Sequence, residues 1–312
     1  MNPPQILVTG ASGFIGSHLC QALQDAGHRV RAMTRHPDRY TGAGQPVAGD
    51  VREPASLRAP LAGVRAAYYL VHSLDSADFE QLDAAAARAF GRAAAEAGVR
   101  RIIYLGGLGA ENQRLSAHLR SRRAVESLLG EAGVAVTVLR AAVVIGHGGI
   151  SWEITRQLVD HLPAMIAPRW VSTRTQPIAL VDVVRYLVGV LQVPESAGQV
   201  YETGGPEVLR YLDMLQRAAR IQHKRMLPVL AVPLLTPRLS SAWLALVTDV
   251  NLATARNLVD SMTTEVVVHE NSIRRLVPGE PIGYDEAVRL ALADRQRAEH
   301  GEDGKADLSQ AR

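Results

Sequence analysis

The chain has 312 residues, 47% of them hydrophobic, which is enough to bury a full core as one large domain or as one domain carrying a smaller lobe. Its 34 Lys and Arg against 31 Asp and Glu leave a formal charge of +3, and the surplus is scattered arginine without a dense basic block, so a nucleic-acid partner is not expected. One cysteine, Cys20, cannot form an internal disulfide and fits a reducing cytoplasm, and MNPPQ lacks the charged-then-apolar pattern of a signal peptide.

Leu7 to Gly16 read LVTGASGFIG, an apolar strand entering three glycines, Gly10, Gly13 and Gly16. A helix follows through Leu19 and Leu23 to a stop at Gly27, and a second strand, HRVRAMT, ends near Thr34. This βαβ unit predicts a dinucleotide cradle. Gly10 makes the tight turn, Gly13 lets backbone N–H groups approach a pyrophosphate, and Gly16 lets the helix sit close to the sheet with its positive N-terminus under the phosphates. Ser12, Phe14 and Ile15 belong to the same cofactor-binding set, and Cys20 falls on this helix as a small buried residue.

After the second strand comes Arg35-His36-Pro37-Asp38-Arg39. An NAD-preferring fold usually ends this strand on a carboxylate that takes the ribose hydroxyls. Arg35, with Arg39 a turn later, instead offers a guanidinium to a 2′-phosphate, so NADP is expected ahead of NAD. The alternative for Arg35 is a solvated loop residue paired with Asp38. The third strand, QPVAGDV, ends on Asp50 and Val51, where Asp50 suits either an adenine amino group or the cap of a helical segment near Pro54. A fourth, Ala66 to Ser73, brings Val71, His72 and Ser73 to the same edge beside the expected nicotinamide ribose.

Phe79 to Ala97 is an alanine-rich helix with Leu82, Ala86, Phe90 and Ala94 on one face. Arg101 to Gly107 forms a fifth strand, with Tyr104 in the core and Gly106 where the nicotinamide would approach backbone. A helix from Leu115 to Ala132 and a strand from Val134 to Gly146 follow. The alternation defines an α/β fold, a Rossmann-type doubly wound parallel sheet whose ligand lies along the carboxyl ends of the strands.

The first 147 residues thus make an NAD(P)-binding domain, and 148–294 interleave the remaining sheet elements with a smaller C-terminal substrate lobe. From Arg295 the tail is polar and reads as disordered. His147, in VVIGHGG, is a candidate for the substrate cleft. The apolar stretch Met226 to Val247 is interrupted by Pro228, Pro233, Pro237 and Arg238, which argues against a spanning helix. It reads as a cleft-lining segment, with a peripheral membrane or protein contact as the alternative. No Cys/His cluster has metal spacing, and no metal is expected.

VTGASGFIG, the arginine after the second strand, GDV, the YLGGLG of Tyr104 to Gly109 and QPIALVDVV together resemble the short-chain dehydrogenase/reductase superfamily in its atypical, NmrA-like branch. The resemblance spans Gln5 to Leu292, and TPRLSSAWLALVTDVNLATARNLVDSMTTEVVV is similar to the C-terminal region of one bacterial reductase-like subgroup. It implies hydride transfer from a nicotinamide, with a tyrosine acid and a lysine four residues later. Here the corresponding helix begins SAHLRSRRAVE, which puts His118 at the tyrosine position and Arg122 at the lysine position, one turn apart on one face. His118 is then a candidate proton donor near neutrality and Arg122 a ligand for cofactor hydroxyls; the plain reading of His118 is a helix-start residue with capping contacts. The family's catalytic serine or threonine is replaced by Gly106, Gly107 and Leu108, and Asp182 resembles a position that organises the connection to the lobe. Two functions follow as expectations: an NADP-dependent oxidoreductase acting on a small hydrophobic substrate, or a non-catalytic NADP(H)-binding regulator or assembly factor.

Overall fold

A computed structural model describes residues 5–109, 115–161, 165–167, 169–224, 229–231, 248 and 252–310. Its first half runs β1 (Gln5–Thr9), α1 (Phe14–Asp25), β2 (Arg29–Thr34), β3 (Gln45–Ala48), the short α2 (Arg58–Leu61), β4 (Val64–Tyr69), α3 (Phe79–Glu96), β5 (Arg101–Gly107), α4 (Ala117–Gly130) and β6 (Ala135–Ala141). Then come β7 (Val144–Ile145), α5 (Ile150–His161), β8 (Met165–Ala167), β9 (Arg174–Thr175), β10 (Ile178–Ala179), α6 (Leu180–Gln192), β11 (Val200–Thr203), β12 (Leu209–Arg210), α7 (Tyr211–Ile221) and β13 (Val229–Ala231). The last helices are α8 (Leu252–Met262), α9 (Ser272–Leu276) and α10 (Tyr284–Gln310).

Seven strands make one sheet in the order β11-β6-β5-β4-β1-β2-β3, every neighbouring pair parallel. The order reverses between β1 and β4, and that switch point opens a crevice at the carboxyl ends of the strands. Alternate residues serve opposite faces, as a sheet covered on both sides requires. Ile6, Val8, Tyr68 and Ile103 join Leu19 and Cys20 of α1 and Leu187 of α6 in one buried cluster. Leu7, Tyr69, Ile102 and Tyr104 join Phe90 of α3 and Leu128 of α4 in the other. Cys20 is buried, and that burial lifts its thiol pKa to about 11, keeping it an unreactive thiol.

The lobe has its own core, in which Trp152 and Leu158 of α5, Tyr211 and Met214 of α7, Val259 of α8 and Val288 of α10 meet Ile145 and Trp170. Two elements beyond Gly148, α6 and β11, return to the main sheet, so the halves are interleaved in space. Asp182 holds them together from the first turn of α6: its carboxylate accepts from Arg185 Nη2 at 2.9 Å and from the Ile282 amide at 3.0 Å.

The backbone departs from the sequence expectation in three places. The strand expected through Gly146 breaks after Ala141, because β7 leaves the main sheet to pair with β10. Second, the segment QPIALVDVVRYLVGVL is expected to turn from strand to helix after Val181, and α6 begins already at Leu180. Third, the polar stretch from Arg295, expected to be disordered, continues α10 as helix to Gln310; side-chain pairs one turn apart, such as Arg295 Nε on Glu299 at 2.6 Å, support such a polar helix. Of the stretch 226–247, only 229–231 lies within the described residues, as β13 paired with β8, and the expected cleft-lining or surface role falls outside them. Among the described residues no helix is long and apolar enough to cross a membrane.

Candidate active site

The glycine turn after β1 has the geometry its spacing predicts. Gly10 sits at φ 63°, where a side chain would be strained and would stand 3.1 Å from the Leu70 carbonyl oxygen. Gly16 admits no Cβ at all, since one would lie 2.1 Å from the Gly10 oxygen, whereas at Gly13 the nearest atom would be 3.2 Å away. The helix therefore presses on the turn at Gly16, while Gly13 is exposed and lines the cleft. As N-cap, Gly13 provides no side-chain acceptor, and no acidic residue occupies the first turn. The leading amides of α1 thus stay available for an anion, reinforced by the helix dipole.

A cleft of about 340 Å³ opens at this point, and its lining brings together Gly10, Ser12, Gly13, Arg35, Asp50, Val51, Val71 and His72 from the ends of four strands. These are eight of the residues expected to bind cofactor. Phe14, Ile15 and Gly16 lie outside the lining, for a local reason. The Phe14 ring is seated against the glycine turn that starts the lobe, 2.6 Å from where a Cβ on Gly149 would be, Ile15 faces the core, and Gly16 is buried against the turn.

Arg35 is exposed and makes no ion pair among the described residues, so the pairing with Asp38 is not seen. A neighbouring hollow of about 350 Å³, lined by Ser12, Ser17, Thr34, His36, Arg39 and Tyr40, shares Ser12, Thr34 and His36 with the cleft. Asp50 caps neither Pro54 nor its turn: its Oδ1 accepts the Arg52 amide at 2.9 Å, while the Ser56 hydroxyl takes up the Asp50 backbone. The far wall is fixed by a residue that the sequence reading missed. Asp83 of α3 is 5% exposed and accepts the Ser73 amide at 2.8 Å, holding the turn that carries His72. Burial raises its pKa, opposed by the Ser73 and Ser121 hydrogen bonds and Arg122. A carboxylate on the apolar face of α3, three residues before Ala86, was the available signal.

Beyond the cleft, a second cavity of about 100 Å³ is lined by Gly107, Leu108, His118, Leu119, Ala141, Ala142, Val143, Ser151, Ile154, Tyr211, Leu258, Ser261, Met262 and Val266. His118 is half-buried there. Burial first, then the Arg122 guanidinium and His72, push its pKa down to about 3, so it is neutral across the physiological range. The expectation that it titrates near neutrality is thereby corrected; it offers a neutral ring N–H. At the cleft mouth His72 is exposed, and the walls around it, followed by Arg122, disfavour its charged form.

Arg122 is also not where the resemblance suggests. Its guanidinium donates to the Leu105 carbonyl and lies 5.2 Å from the Tyr104 ring centroid, and it lines neither the cleft nor the cavity. Gly106 is buried within the sheet, and a Cβ there would stand 2.9 Å from Glu126 Oε1 and 3.1 Å from the Tyr104 ring, so it too is off both surfaces; Gly107 and Leu108 take its place. Glu126 is held by Arg140 through Nε and Nη2, at 3.1 and 2.7 Å. His147 lines neither space and lies 3.4 Å from Glu153.

A parallel sheet with reversed strand order, a glycine cradle under a free helix N-terminus and a cleft along the strand ends define a Rossmann-type dinucleotide-binding protein. The chain belongs to the NAD(P)H-binding family, which it matches over residues 10–166, within the atypical short-chain dehydrogenase/reductase group it resembles. It is 28% identical to the (4-alkanoyl-5-oxo-2,5-dihydrofuran-3-yl)methyl phosphate reductase of Streptomyces griseus, over 69% of this chain and 73% of that protein. It is 29% identical to NADH dehydrogenase (ubiquinone) 1 alpha subcomplex subunit 9 of Arabidopsis thaliana, over 64% of this chain and 54% of that one, about half its length. In fold it is similar to the triphenylmethane reductase of a Citrobacter species complexed with NADP(H), with a TM-score of 0.75 at 19% identity over 92% of this chain and 99% of that structure.

Proposed function

We propose that the protein is a cytoplasmic, NADP-dependent oxidoreductase that acts on a small hydrophobic substrate through a non-standard active site. The observation that carries this reading is the adjacency of two spaces. The open polar cleft carries the glycine turn that leads into α1 and an unpaired Arg35, and His72 in its lining is close enough to His118 of the apolar cavity to disfavour that residue's charged form. The α1 amides and Gly13 would hold the pyrophosphate, Arg35 the 2′-phosphate, Asp50 the adenine side, and Val71 and His72 the nicotinamide ribose. When bound, the nicotinamide supplies the hydride equivalent. His118, kept neutral by burial and Arg122, would donate a hydrogen bond from its ring N–H to a substrate carbonyl oxygen and stabilise the charge that develops there, and the proton that completes the alcohol would come from water. Leu108, Leu119, Val143 and Met262 exclude water from the reacting carbon.

Fluorescence titration with NADPH and with NADH tests the cofactor assignment. NADPH should bind about tenfold or more tightly, and Arg35→Ala should erase the difference, because a charge-assisted bidentate contact is worth about 1.5–3 kcal/mol. Equal affinities in the unaltered protein would overturn it. Oxidation of NADPH across a panel of ketones, aldehydes and enones tests the activity.

The diversion of Arg122 to the Leu105 carbonyl favours a second reading, a non-catalytic NADP(H)-binding regulator or assembly factor. The relative that is a subunit of an NADH dehydrogenase subcomplex is consistent with it. Tight NADPH binding with no turnover on the whole panel, and a protein partner retained only with one redox state of the cofactor, is the outcome that reading expects.

A further inference from the structure

Helix α8 roofs the apolar cavity and belongs to the C-terminal segment whose resemblance to the reductase-like subgroup the site described so far leaves unused. Ser261 on α8 lines the cavity, and the capacity of its hydroxyl can be counted. Its Oγ donates to the Asn257 carbonyl at 2.8 Å, which uses its single proton. The Ser116 hydroxyl, 3.0 Å away, must then be the donor between the two serines, while Ser116 in turn accepts the Leu119 amide as N-cap of α4. Ser261 has two lone pairs and one is taken. It keeps one acceptor and no proton. Its position is set from two sides, since Asn257 Nδ2 also reaches the Leu74 carbonyl at 3.4 Å and Ser116 lies two residues before His118.

The residues lining the cavity include no Lys, Arg, Asp or Glu. A charged ligand would lose its hydration there without compensation. With a volume of about 100 Å³ the space is only a few ångströms across, so one ligand of a few heavy atoms meets both His118 and Ser261.

We propose that Ser261 is a specificity residue and that the substrate class is a small, uncharged, mostly apolar carbonyl compound bearing a hydroxyl or N–H donor next to its carbonyl. The carbonyl oxygen turns to the His118 N–H and the donor turns to Ser261 Oγ. This rests on the oxidoreductase reading above.

The test uses the full chain saturated with NADPH and three probes followed by saturation-transfer NMR: 3-hydroxy-2-butanone, 3-methyl-2-butanone, in which a methyl replaces the hydroxyl, and acetoacetate. The hydroxyketone should bind about tenfold more tightly than its methyl analogue, acetoacetate should not bind, and Ser261→Ala should bring the ratio of the two ketones to about one. Equal binding of the two ketones, binding of neither, a ratio unchanged in Ser261→Ala, or preferential binding of acetoacetate each overturns the inference. The ketone ratio in the unaltered protein decides the matter even if the variant fails to fold. NADPH affinity, read separately by its fluorescence, reports on the cofactor assignment: unchanged cofactor binding without the ketone preference sinks only the role of Ser261.

Discussion

Two glycine turns at the carboxyl edge of the same sheet use the same residue for opposite ends. After β1, Gly13 is exposed and lines the cleft, and the first turn of α1 begins there without a side-chain cap. After β5, the corresponding space is already occupied by the protein: Glu126 and the Tyr104 ring stand against Gly106, and Leu119 against Gly107. One turn makes room for a ligand, and the other for the chain itself. A glycine in a sequence announces that something comes close; only the fold says what.

The largest effect expected from breaking this contrast lies at the filled turn. Arg140→Leu leaves the Glu126 carboxylate, 7% exposed, without its bidentate partner. The loss should be about 3–5 kcal/mol of unfolding free energy in urea; a loss under about 1 kcal/mol would mean that Arg123, already 3.7 Å from Glu126, or water compensates the charge. Next comes Gly16→Ala, whose Cβ would meet backbone at 2.1 Å, so the turn and helix must separate. It should cost about 1–3 kcal/mol and weaken NADPH binding along with stability. The matching change, Gly107→Ala, meets only the tip of Leu119 at 2.8 Å and should cost less than about 1 kcal/mol while leaving cofactor affinity intact. If both alanines weaken cofactor binding equally, the contrast between the turns is lost.

The last effect is a pH dependence. His118 has a folded pKa of about 3 against about 6.5 in the unfolded chain. Between those values the unfolded state binds more protons, so stability falls as pH drops from about 6.5 toward 3. His118→Gln should flatten that acid limb, as followed by the denaturation midpoint at pH 4.5 and 7. An unchanged slope would place the acid sensitivity elsewhere.

What could be read from the sequence divides along the same line. The cradle was legible because Gly10, Gly13 and Gly16 act within one strand-turn-helix unit, where spacing alone determines the geometry. Arg35 and Asp50 were legible because strand ends in a parallel sheet converge on one edge. Arg122 was not. Its position on the helix face was correctly read, but its direction depends on the Tyr104 ring and the Leu105 carbonyl, both supplied by a strand more than a dozen residues earlier. Asp83 escaped because a carboxylate on an apolar face becomes meaningful only when the Ser73 amide is found opposite it. Arg140, a cation inside an apolar strand, was a visible signal whose partner Glu126 sits on another element.

The Phe14 ring leaves the first turn of the cofactor helix and rests on the glycines at 146 and 149, where the lobe begins. That contact ties the history of the two halves together. A bulkier residue at either glycine would press on this ring and be felt at the turn that leads into α1. Sequences that diverge in the lobe should therefore keep this turn small, and a chimera that joins the halves of two relatives should work only when ring and turn come from the same parent.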